Sequence, residues 1–123
     1  MTNQEIFDDL GEMGTLMLLF LEMAGADGEF AESEIEAIID GAGNFTDADL
    51  KPFIDKAIKV RSSLKFKERV DYLAAGLGYF AGNLSANMKK GVLVEMAKIA
   101  KADGVIHDNE SALFKMAASY LAD

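Results

Sequence analysis

The chain has 123 residues, half of them hydrophobic, with a net charge of −9, one proline and no cysteine. That length suits one domain burying roughly two-thirds of its unfolded surface, and the composition excludes a disordered chain, disulfides, thiolate metal sites and thiol redox chemistry. The acidity argues against nucleic acid, whose phosphates require a basic face; it is also unevenly placed, with 13 acidic and no basic side chains in residues 1–50 against 8 acidic and 12 basic in residues 51–123.

Apolar spacing is helical along the whole chain, and no stretch alternates as a strand would. A first helix is predicted from about Gln4 to Ala26, capped by Thr2 or Asn3, with Ile6, Leu10, Met13, Met17 and Leu21 on its buried face. Gly28 then offers the left-handed residue on which a helix can end. A second helix follows, with Ile35, Ile38, Ile39 and Ala42 at i, i+3, i+4 and i+7. Thr46 and Asp49 have the spacing of an entry to a third helix, a reading that Pro52 disturbs; its apolar residues are Phe53, Ile54, Ala57, Ile58 and Val60.

A fourth helix fits Phe66 to Ala81, where Ala74, Gly78 and Gly82 recur every four residues as a small-residue face for close helix approach. The "GLGYFA" stretch there imitates a dinucleotide fingerprint but has no strand before it to build the phosphate-cradling turn. Ser85 caps a fifth helix running to Ala102, Gly104 ends it, and a last helix carries Leu113, Phe114, Ala117, Tyr120 and Leu121. The expected fold is all-α: a compact single-domain bundle in which two related helical hairpins, arranged about a pseudo-twofold axis, flank a central pair.

The apolar run Met13 to Leu21 has nine residues, and the longer uncharged run Tyr72 to Met88 has 17 but is interrupted by glycine, asparagine and serine; both fall short of the roughly 20 apolar residues of a membrane helix. No positive flank marks a secretory signal. The expectation is a cytoplasmic protein without membrane insertion.

One corner is written twice. "AGADGEFAESE" from Ala24 to Glu34 overlays "AKADGVIHDNE" from Ala100 to Glu110 at an offset of 76 residues (103 − 27), pairing Asp27 with Asp103 and Glu34 with Glu110. Numbered as an EF-hand loop, each Asp stands at position 5 and each Glu at 12, but positions 1 and 3 fall on Met23 and Gly25, or on Ile99 and Lys101. None of these supplies a carboxylate, so a complete calcium loop is excluded. Half the ligands, twice, leaves a shared all-oxygen site for calcium, magnesium or manganese, formed by Asp27, Glu34, Asp103 and Glu110 where the hairpins meet. Pooling these four carboxylates without a cation would be costly. The alternative is purely structural: a Glu three residues after a helix cap is half of a capping box, with the caps at Ala31 and His107, and an Asp beside a helix start favours its dipole.

Other chemistry is thinly represented. His107 is the only histidine and stands beside Asp108, more in keeping with an exposed polar residue than a ligand. No Glu-x-x-His pair is present for a di-iron bundle. Lys51, Lys56, Lys59, Arg61, Lys65, Lys67 and Arg69 crowd one span, opposed by Asp55 and Glu68. They are expected to form a solvated face or to meet the acidic first half of the chain, within one molecule or between two in a homodimer, in preference to nucleic acid, with docking to anionic lipid or an acidic protein left open.

The doubled corner resembles the TerB-like family, named for bacterial tellurite resistance. "IAKADGVIHDNESALFKMAASYL" matches its pattern closely from Ile99 to Leu121, and "LEMAGADGEFAESEIEAIIDGAGNF" more loosely near the N-terminus. The chain departs from the pattern at Ala31 and His107, where the family often has Ser or Thr, and at Gly25, where the second corner has Lys101. The resemblance implies a compact helical fold with a divalent-cation site on Asp27, Glu34, Asp103 and Glu110. It also implies a role in tellurite or stress resistance through complexes with other proteins, including membrane-associated ones. A non-enzymatic, metal-binding accessory module is thus the leading expectation. The alternative is a metal-free helical interaction domain of the co-chaperone type. An enzyme reducing tellurite is disfavoured, because no cysteine is present to support it.

Overall fold

The computed structural model of the chain describes residues 2–24, 32–43, 49–102 and 108–121. Among them run six helices and no strand: α1 (Asn3–Ala24), α2 (Glu32–Ala42), α3 (Lys51–Ser63), α4 (Phe66–Phe80), α5 (Ala86–Ala102) and α6 (Asp108–Leu121), with a 3-10 turn at Ala81–Asn83 after α4. The all-α expectation holds.

The first helix differs from the one predicted. Thr2 is its cap: the Glu5 amide donates to the Thr2 hydroxyl at 3.2 Å while the Thr2 amide donates back to the Glu5 carboxylate at 3.4 Å. At Gly11 the backbone takes φ 71 and ψ −176, a conformation essentially reserved for glycine. The helix therefore breaks into an arm, residues 3–10, and a stem, residues 12–24. Every residue of the stem from Gly14 to Met23 is buried, not only the stripe containing Met17 and Leu21. The reason lies in composition, since between Thr15 and Glu22 the stem has no polar residue and hence no face to give to solvent. It forms the central rod of α1, the helix that touches each of the other five.

The remaining helices present one apolar side to that rod. Ile38 and Ala42 of α2 are buried, with Ile35 and Ile39 packed partly against the core. Helix α3 buries Ile54 and Ala57 and starts at Lys51, later than the Thr46 entry predicted from spacing, while Thr46 itself lies outside the described residues. Pro52 falls in the first turn, where its missing N–H has no helical partner to lose, so it assists the start instead of disturbing it. Asp49 accepts the Lys51 amide at 3.1 Å.

Helix α4 runs antiparallel to the stem, with Arg69 beside Glu22 and Tyr72 beside Thr15. The close approach falls at Gly76: a Cβ there would lie 3.0 Å from the Thr15 methyl. Of the predicted small-residue face, Gly78 meets Tyr120 of α6 at ordinary contact distance, and Gly82 has nothing within 4 Å. Ser85 caps α5 as expected, accepting the Met88 amide at 3.1 Å. Leu113, Ala117 and Leu121 seat α6, whereas Tyr120, predicted inward, is 39% exposed.

Candidate functional site

The sequence places its candidate ligands at two helix-to-helix corners. Asp27 and Asp103 lie outside the described residues, as do Gly28, Ala31, Gly104 and His107. Glu34 and Glu110 fall on described backbone, each as the third residue of its helix (α2 from Glu32, α6 from Asp108), although their side chains lie outside the description. The two corners thus open their second helices in the same register. The hairpins that carry them are in mutual contact, α1 with α5 and α6, and α2 with α5. Among the described residues no three Asp, Glu or His side chains gather as a metal site; the four candidate carboxylates are not part of that set.

One acidic residue that sequence reasoning passed over is fully placed. Glu22, two residues before the end of the stem, has a side chain only 2% exposed, and its Oε1 receives Arg61 Nε of α3 at 2.8 Å and Arg69 Nε of α4 at 2.5 Å. Opposite charges at this separation hold the three groups together by Coulomb attraction. In a medium of reduced dielectric that attraction is strong, and it offsets the cost of removing the ions from water. Arg69 also donates through Nη1 to the Leu64 carbonyl at 2.7 Å and lies 5.6 Å from the Phe66 ring centroid. The triad therefore fastens the α3–α4 connection to the stem, close to the first corner.

The basic span accordingly meets the acidic half of the chain inside one molecule. Besides the two arginines, Lys56 Nζ reaches Asp9 Oδ1 at 3.9 Å, an exposed pair of little energetic weight. Lys51 pairs with Asp55 one turn along its own helix. Deeper in, the Thr15 and Tyr72 hydroxyls share a buried hydrogen bond of 2.5 Å, so neither is left without a partner. The buried Glu95 carboxylate of α5 lies directly against Gly41 of α2, where any side chain would displace it.

A family model described as "Tellurite resistance protein TerB" matches residues 14–122. The chain belongs to the TerB family. The matched span takes in both corners and all three members of the triad, and it begins three residues (14 − 11) after Gly11. Searches of curated proteins and of solved structures found no match. TerB membership makes this chain a helical, tellurite-resistance-related module. No helix among its described residues is long and apolar enough to cross a membrane.

Proposed function

We propose that this TerB domain is a non-enzymatic accessory module of the cytoplasm that binds a divalent cation through Asp27, Glu34, Asp103 and Glu110. The observation that carries the reading is positional. Glu34 and Glu110 are related by the same 76-residue offset (110 − 34) as the two aspartates, both stand third in their helices, and their hairpins pack on one another. Four carboxylates offer an all-oxygen set of the kind that calcium, magnesium and manganese favour. The cation would join two hairpins already in contact and offset the repulsion among their acids. Partners of the loaded module would be other proteins of a resistance complex, membrane-associated ones included.

Calorimetric titration of chelator-treated protein with each of the three cations tests the reading directly. Asn and Gln retain the hydrogen-bonding oxygen of Asp and Glu but lose the charge, so they still serve as caps while binding a hard cation poorly. Asp103→Asn with Glu110→Gln should therefore abolish both the heat of binding and the rise in melting temperature caused by cation. Asp27→Asn with Glu34→Gln should do the same if both corners feed one site. A parent domain that shows no heat and no thermal shift with any of the three leaves the corners as capped turns.

A metal-free adaptor is the second reading, and the exposed apolar side chains of the second hairpin favour it. Val94 on α5 is 53% exposed and Tyr120 on α6 is 39% exposed. Under this reading partner capture is unchanged by chelator, whereas the cation-loaded module loses its partner when stripped.

A further inference from the structure

Two glycines in the first helix are needed only because the arm is folded back. Gly11 alone among the described residues has positive φ, and a Cβ on it would meet nothing within 4 Å. Its requirement is therefore conformational and has nothing to do with space. Gly14 is the reverse case. A Cβ there would lie 2.9 Å from the Leu10 Cβ, whereas residues four apart on a regular helix keep about 5–6 Å between their Cβ atoms. The arm is doubled down onto the start of the stem, and glycine at 14 makes room for it. Were the helix continuous, neither residue would have to be glycine, and each would weaken it relative to alanine.

The arm is a complete amphipathic unit. It is capped at Thr2, buries Ile6 (3% exposed) and Leu10 (1% exposed), and packs Phe7 partly against the core. Phe7 reaches to 3.9 Å from the Cβ position of Gly76 on α4, and Asp9 faces Lys56 on α3. Its outer side carries Glu5, Asp8 and Asp9, of which Asp9 pairs with Lys56 of α3. The part of the chain that matches the TerB family begins at Gly14, after the arm and Gly11.

We propose that the arm exchanges between two copies of this chain. If residues 10–14 straighten into regular helix, α1 becomes one rod of 22 residues, about 33 Å long, and carries the arm away from its own body. The groove left by Ile6, Phe7 and Leu10 is then filled by the arm of the second copy, through the same contacts and the same Asp9–Lys56 pairing across the interface. A second copy is the occupant that fits, because every contact it needs is already made within one chain. A short glycine hinge between two complementary parts is the arrangement from which such exchange arises. The domain would thus exist as a closed monomer and an exchanged dimer, independently of any cation at the corners.

Gly11→Ala and Gly14→Ala test it separately. The first makes the closed backbone conformation strained, the second fills the space Leu10 needs, and both favour the straight helix. Each should strengthen dimerisation by at least about a hundredfold in sedimentation velocity, since both chains of the dimer gain. The chain has no cysteine, so Asp9→Cys on one copy and Lys56→Cys on another report exchange without background. Because a contact between the tips of an aspartate and a lysine leaves the two backbones too far apart for a direct disulfide, a short flexible bismaleimide is used to join the thiols. Co-refolded chains carrying one change each should be crosslinked between copies, in the Gly11→Ala background and, less abundantly, in the parent. Folded variants that stay monomeric overturn the exchange, as does a dimer with no cross-copy crosslink. A monomeric Gly11→Ala chain that captures an added peptide of residues 1–12 also overturns it, giving the groove to a separate helical partner. If both alanine variants fail to fold, the parent mixture decides, and absence of any cross-copy crosslink there rejects the exchange.

Discussion

Helices α1 and α5 lead into the same corner, one 76 residues after the other, yet the fold uses them differently. In that register Leu16 answers to Val92 and Phe20 to Met96, and all four are buried. Leu18 answers to Val94, fully buried in one helix and 53% exposed in the other. Glu22 answers to Lys98, the first held inside by two arginines and the second exposed. The stem of α1 is a core element surrounded by helices, whereas α5 is a wall with one wet side. The difference shows that a repeated corner motif fixes how two helices meet, while the side chains off that shared face decide which copy becomes the centre.

The sharpest way to break this contrast is at the charged pair of positions. Glu22→Gln leaves Arg61 and Arg69 facing each other with no anion between them. Breaking a buried ion pair from one side typically costs about 3–5 kcal/mol; with each arginine 11–12% exposed, the lower end is expected. Lys98→Gln, the matching change on α5, should stay within about 0.5 kcal/mol. Denaturant midpoints of the two variants measure the gap. Replacing Glu22, Arg61 and Arg69 together with apolar residues should recover most of the loss, because burying three ions is itself expensive. Equal midpoints for the two single variants would mean that the triad contributes nothing despite its burial.

The next largest effect belongs to the stem's other buried polar group. Thr15→Val keeps the shape but removes the hydroxyl that partners Tyr72. Losing this buried hydrogen bond from one side costs about 1–3 kcal/mol. Tyr72→Phe in the same chain should restore part of it, since both hydroxyls of the pair are then gone. A double-mutant cycle on Thr15 and Tyr72 gives the coupling, and a value near zero would place water or another acceptor at the phenol.

These positions also show what the sequence could and could not disclose. Helix number, type and most of the apolar faces follow from periodicity, because each outer helix has one wet and one dry side and so writes its orientation in the spacing. The stem has no wet side, so spacing marked only a stripe where the whole rod is buried. Glu22 was legible as the one charge ending the apolar run from Met13, and Arg61 and Arg69 as the two arginines among seven basic residues. Arginine, with its weakly hydrated planar head, is the cation suited to burial, and the lysines of that span remain outside. The break at Gly11 was hidden because Ile6, Leu10, Met13 and Met17 keep a helical interval straight across it. A fold-back changes where those residues pack without changing how they are spaced. The corners were legible as a motif, but which acids gather around one point depends on how the hairpins are set against each other, and spacing does not encode that.

The smallest expected effect compares the two corners at their helix entries. Helix α2 starts at Glu32 and α6 at Asp108, which puts Ala31 and His107, again 76 residues apart (107 − 31), immediately before them. Alanine offers no side-chain acceptor to the first free amides of a helix, whereas a neutral imidazole has one nitrogen able to accept. Ala31→Ser should therefore stabilise the domain by about 1 kcal/mol, and His107→Ser by less. Both are read from denaturation midpoints in chelator-treated buffer, so that no cation contributes. The same pair then separates capping from cation binding at Glu34 and Glu110. A new serine hydroxyl and the glutamate three residues on complete a capping box, which draws the carboxylate toward the helix start and away from a shared cation. If the glutamates are cation ligands, Ala31→Ser should gain stability without cation and show a reduced thermal shift with it. If they are capping residues only, the gain should be the same with and without added calcium, magnesium or manganese. An Ala31→Ser chain no more stable than the parent in either buffer would mean that the first amides of α2 already have an acceptor, with Glu29 and Asp27 the nearest preceding carboxylates in sequence.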